Sequence, residues 1–185
     1  MSVHEQIGDI VAQLAASSTS RAPAVIDDPL DKLFERLRDS DDQSSRAEAE
    51  DLIWALWCAH EDEAARNLLN YAIGSLSCNE HQEAERLLDE LVLGWPDWSE
   101  AWNKRATLYF LCGRFVESMQ DISRALALEP RHFGAMAGFG QICLQIGDEH
   151  SALVAFECAL NENPNLDAVR DAAEALWLRL TPKLH

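Results

Sequence analysis

Three prolines, Pro96, Pro130 and Pro164, stand 34 residues apart, and the residues between them keep the same beat. Leu68, Trp102 and Met136 fall in one column of that period, as do Ala72, Ala106 and Gly140, then Asn79, Gly113 and Gly147. Farther along lie Ala84, Ser118 and Ala152, Leu88, Ile122 and Phe156, and Leu91, Ala125 and Ala159. A period of this length repeats one supersecondary unit, which buries its apolar face only by stacking on its neighbours. Within a unit, Trp102, Ala106, Tyr109 and Phe110 recur at helical spacing. The small residues Ala106, Ser118 and Ala125 permit close approach of two helices, and Trp102, Tyr109 and Ile122 fill the space beside them. Gly113 and Gly147 allow the left-handed turn that ends a first helix, with Asn79 the next-best residue there. Each proline stops a second helix. The expectation is an all-α chain of stacked helical hairpins.

The middle unit, 99–132, carries Trp102, Ala106, Tyr109, Gly113, Phe115, Ile122, Ala125 and Pro130. This pattern resembles the tetratricopeptide repeat (TPR), although Ser118 replaces the usual alanine and Arg105 the usual leucine. The third unit, 133–166, has Met136 and Cys143 in place of the two aromatics, and the first, 65–98, is more divergent. The resemblance implies an α–α superhelix of three TPR units over 65–166. Two further helices are expected over 28–39 and 46–60, joined by the turn-like "SDDQSS", in the phase of a degenerate pair covering 28–62. Residues 167–185 read as a capping helix with a polar outer face and a tail, and 1–27 as an N-terminal helix (1–15) followed by a flexible linker (16–27).

Charge narrows the partners. The formal net charge is -17, which argues against affinity for nucleic-acid phosphates or an anionic membrane and favours neutral or basic proteins. The exception is 99–132, with five basic and four acidic residues. No run approaches a membrane span, and Glu5 and Asp9 interrupt the apolar stretch that a secretory leader needs. Five cysteines without a CxxC pair read as reduced, mostly buried thiols, so a cytoplasmic location is expected. Cys78 and His81 lack a second pair at zinc-ligand spacing, and neither metal nor cofactor is expected.

No catalytic constellation is present. The chain lacks GxSxG, Walker, HExxH and GxGxxG motifs, and His132 reads as a helix-starting residue, so a non-enzymatic protein is expected. The resemblance instead implies a concave groove that holds a peptide or a partner helix, lined here by Asn70, Ile73, Ser77, Asn103, Lys104, Thr107, Phe110, Gln141 and Gln145. The family variant that clamps chaperone carboxyl-termini uses lysine, arginine and asparagine at places where this chain has Leu69 and Ile73, then Lys104, then Gly134 and Gly138. That specificity is not expected. An adaptor or assembly scaffold is the resulting reading, with self-association through the N-terminal helix or a Trp54/Trp57 surface as the alternative. Arg105 and Asp121 are expected to pair across the hairpin as a structural ion pair.

Overall fold

The computed structural model describes residues 2–19 and 28–181, and ten helices account for most of them. They are α1 (Val3–Thr19), α2 (Pro29–Asp39), α3 (Gln43–Cys58), α4 (Glu63–Ser77), α5 (His81–Gly94), α6 (Ser99–Leu111), α7 (Phe115–Leu128), α8 (Phe133–Ile146), α9 (Glu149–Glu162) and α10 (Asp167–Leu180). The chain divides into two compact units, one of Trp54–Pro130 and one joining Met1–Ile53 to Arg131–His185.

In the Trp54–Pro130 unit, α4 pairs with α5 and α6 with α7, while α6 also packs on α5 and lies beside α4. Ala65, Leu69, Ala72, Ala84, Leu88 and Leu108 belong to its buried core. Ser118, where the repeat usually has alanine, is buried, and its hydroxyl donates to the Ala106 carbonyl at 2.7 Å. The extra polar atom is therefore satisfied inside the hairpin instead of costing a desolvated hydroxyl.

The turns between paired helices share one backbone device. Asn79 (φ 58°), Gly113 (φ 72°) and Gly147 (φ 84°) are left-handed. In each case the following amide reaches back five residues: Glu80 to Ser75, Arg114 to Tyr109 and Asp148 to Cys143, at 2.8, 2.8 and 2.9 Å. These bonds satisfy carbonyls that the helix end would otherwise leave open.

In the other unit, α8 pairs with α9, and α10, α1 and α2 all pack against α9. Gly140 is required there, because a Cβ at this position would lie 2.3 Å from the Phe156 ring. Asp28 caps α2 through the Leu30 amide at 2.9 Å, with Pro29 at the first turn. Buried Phe34 meets buried Phe133 edge to face, and Arg38 pairs with Glu162 at 3.1 Å.

Four expectations change. Residues 16–19 are helical, because α1 continues through them; the rest of the expected linker, 20–27, lies outside the described residues. The turn before α3 is shorter than "SDDQSS", because the Asp42 carboxylate accepts from the Ser44 and Ser45 amides and starts the helix early. The outer face of α10 is not polar throughout, since Trp177 and Leu178 are exposed. Of the five thiols only Cys143 is fully buried, and Cys78 and Cys112 are exposed because they stand at helix C-caps, just before the left-handed residue.

Candidate functional site

Helices α4 and α6 of the Trp54–Pro130 unit carry seven of the nine candidate groove residues, and the two halves of α6 meet different fates. In its first two turns Glu100, Asn103 and Lys104 lie at i, i+3 and i+4 and share one face. Glu100 is fully buried at 0% exposure. Its carboxylate accepts from Asn103 Nδ2 at 2.9 Å and pairs with Lys104 Nζ at 2.8 Å. The last turn of α3 closes over this group. The Cys58 thiol donates to Glu100 at 3.8 Å, Lys104 lies 5.4 Å from the Trp54 ring centroid, and Trp98 Nε1 donates to the Trp57 carbonyl at 2.7 Å. Burial, followed by the Glu100 charge, pushes the half-buried Cys58 thiol up to about 11.

Asn103 is therefore a buried internal partner of Glu100, not an open groove residue, and Lys104 spends its charge on the same carboxylate. The physical cause is α3, whose end lies against α6. Trp57 is buried and Trp54 half-buried, and the apolar stripe of α1 (Ile7, Ile10 and Leu14) is buried as well.

The open half is farther along. Asn70, Ser77 and Thr107 are exposed, while Ile73 and Phe110 are half-buried. Ser77 and Thr107 return their hydroxyl protons to the Ile73 and Asn103 carbonyls, at 2.9 and 3.0 Å, leaving oxygen lone pairs outward. Phe110 leans on Phe115 at 5.9 Å between centroids. Sequence reasoning missed Leu76 and Leu111, one 34-residue period before Phe110 and after Ser77. Leu76 is half-buried, and Leu111 is 53% exposed. Gln141 and Gln145 stand on α8 of the other unit, half-buried and exposed respectively.

Arg105, between Lys104 and Ala106, points elsewhere. Its Nε and Nη2 reach the two Asp121 oxygens at 2.7 and 2.8 Å, and its Nη1 reaches Asp89 at 2.9 Å. One guanidinium thus ties α6 to both α7 and α5. It also lies 5.0 Å from the Trp102 centroid and 5.5 Å from that of Tyr109, whose ring is approached by Arg114 at 4.2 Å. Burial opposes the Arg105 charge, but the Asp121 hydrogen bonds and charge outweigh it and raise its pKa. Burial also pushes the Asp121 carboxyl up, against the pull of the same guanidinium.

Among the described residues, no group of three or more His, Cys, Asp or Glu side chains could hold a metal ion. His81 does not join Cys78; its Nδ1 lies 3.6 Å from the Cys112 sulfur. Buried His132 caps α8, its Nδ1 accepting from the Ala135 amide at 3.2 Å. No described helix is long and apolar enough to cross a membrane.

No family model matches the chain. A TPR repeat-containing protein of Rhizobium etli is 33% identical over 155 residues, covering 84% of this chain and 73% of its own. Among solved structures, the first TPR of Spaghetti (RPAP3) bound to the HSP90 peptide SRMEEVD is similar at a TM-score of 0.59 and 19% identity, over 63% of this chain and 92% of that one. The Yersinia enterocolitica type III secretion chaperone SycD, in complex with a peptide of the translocator YopD, is similar at 0.61 and 13% identity, over 65% and 98%.

Proposed function

We propose that this chain, which belongs to the tetratricopeptide-repeat family, is a non-enzymatic interaction module that grips a peptide or helix of another protein. Its role on this reading is that of an adaptor or assembly scaffold in the cytoplasm, with three repeat units over 65–166 as its working part. The observation that carries the reading is the open face formed by α4 and α6, where Asn70, Ser77 and Thr107 are exposed beside half-buried Ile73 and Phe110. Amides and hydroxyls there suit hydrogen bonds to a partner's backbone, and Phe110 supplies an aromatic anchor. The peptides bound by the TPR of Spaghetti and by SycD support the same mode of use. The acidic balance of the chain favours neutral or basic partners over nucleic acid or anionic lipid.

The test is affinity capture with the full chain and a Thr107→Ala/Phe110→Ala variant that retains the wild-type helical signal. Retention of the captured protein falls by about tenfold or more if these positions are anchors. Undiminished retention sinks the groove, and turnover by the pure protein in a panel of hydrolase substrates would sink the non-enzymatic reading.

Self-association is the second reading, supported by exposed Trp177 and Leu178 on α10. Light scattering that reports a monomer at all concentrations rules it out.

A further inference from the structure

Resting on the groove reading above, we propose that the open face of α4 and α6 selects a segment with an apolar anchor and basic or neutral flanks, and rejects segments bearing clustered carboxylates. Part of that side of the unit is occupied already. The last turn of α3 covers Glu100, Asn103 and Lys104, so the first two turns of α6 are closed to a partner. What remains is short and apolar: Ile73 and Leu76 from α4, Phe110 and Leu111 from α6, with Asn70 and Thr107 at its edge.

Charge decides what can lie there. Lys104 is the cation that α6 directs to this side, and fully buried Glu100 holds it at 2.8 Å. A carboxylate on an incoming segment would compete with one that is already desolvated and fixed, and it would have to displace Trp54 from the ammonium group. Arg66, at the start of α4, donates to the His60 and Glu61 carbonyls. Residues 61–132, which include both helices, hold thirteen acidic side chains against seven basic ones. That acidic balance favours cationic flanks over anionic ones. An apolar anchor follows from Leu111, 53% exposed and next in sequence to half-buried Phe110, with half-buried Ile73 and Leu76 on α4, which lies beside α6.

Three dye-labelled peptides test this by fluorescence anisotropy with the full chain. One is an amphipathic helix with leucines at i, i+3, i+4 and i+7 and lysine flanks, the second keeps the leucines but has glutamate flanks, and the third is the acidic SRMEEVD sequence. The lysine-flanked peptide should bind at least about tenfold more tightly than either acidic one at low salt, with the gap shrinking as salt rises. Leu111→Asp, on an exposed side chain that leaves folding intact, should abolish that binding. Glu100→Gln, nearly isosteric, should release the Lys104 charge and reduce the preference to about threefold or less, with little change in affinity for the leucine anchor.

Other outcomes overturn the proposal in distinguishable ways. If an acidic peptide binds as well or better and Leu111→Asp abolishes it, the groove stands and the selectivity falls. If binding ignores Leu111→Asp and Phe110→Ala, or if no peptide binds, the groove reading itself falls. A concentration-dependent mass in light scattering that Leu111→Asp removes would assign the face to a second copy, and would also overturn it.

Discussion

Two hairpins in this molecule share one backbone plan and solve the same packing problem with opposite chemistry. In α6/α7, Arg105 and Asp121 face each other; one period later, in α8/α9, the same places hold Phe139 and Ala155, both fully buried. The period earlier, in α4/α5, has Tyr71 and Leu87, and Tyr71 is 69% exposed. The ionic hairpin holds its charges with a bidentate contact, a third bond to Asp89, and two flanking rings. The apolar hairpin instead closes until Gly140 touches the Phe156 ring. The lesson is that the repeat prescribes a volume and an approach distance at these positions, while the chemistry that fills them is free to vary.

Breaking the ionic side should have the largest effect. Asp121→Ala strands a guanidinium whose side chain is mostly buried, and should lower stability by about 3 kcal/mol, with Asp89 limiting the loss. Arg105→Met combined with Asp121→Leu should recover stability to within about 1.5 kcal/mol of wild type, because it turns this hairpin into its apolar neighbour. Urea denaturation measures both, and a double variant no more stable than Asp121→Ala would mean that the two solutions are not interchangeable.

Thiol chemistry gives the next contrast. Cys143 takes the repeat position of Tyr109, and burial, with Asp148 adding to it, pushes the thiol up to about 12; Cys58 stands at about 11. Exposed Cys78 and Cys112 should be alkylated at pH 8 at least about tenfold faster than half-buried Cys58 and buried Cys143, because the reagent must reach the sulfur. Mass spectrometry of a time course orders the four. Both buried-side thiols keep their protons to higher pH when folded than when unfolded. Their contribution to stability is thus intact below the ordinary thiol range and declines as pH rises through it toward 11 and 12.

On the apolar side, Gly140→Ala should cost about 1–3 kcal/mol by thermal or urea unfolding, since its Cβ would sit 2.3 Å from the Phe156 ring. Adding Phe156→Leu should return part of the loss. The smallest effect is expected in the shared turn: Asn79→Gly should stabilise by a few tenths of a kcal/mol, because Asn79 is the one non-glycine residue with positive φ among those described. A destabilised Asn79→Gly would show that its side chain, and not its backbone, matters there.

Much of this was legible without coordinates because it is local. A left-handed residue ends a helix whatever surrounds it, so Asn79, Gly113 and Gly147 announce their turns, and Pro96, Pro130 and Pro164 lie just beyond the ends of α5, α7 and α9. The candidate site was harder to read. Asn103 and Lys104 occupy repeat positions that face a partner in the family, and nothing in the spacing says that Glu100, beside them, is desolvated under Trp54 and Cys58. Leu76 and Leu111 could have been found from the 34-residue period, which carries Phe110 back to Leu76 and Ser77 forward to Leu111.

By itself, then, the amino-acid sequence determined the hairpins α4/α5, α6/α7 and α8/α9 and the turns within them, because these depend on backbone conformation and on contacts a few residues or one period away. Tertiary structure alone decided that the end of α3 closes the first turns of α6, that Lys104 is neutralised, and that Asp89 joins the Arg105 pair. Those outcomes depend on which desolvated charges and apolar faces meet across long stretches of chain, and no local propensity encodes that meeting.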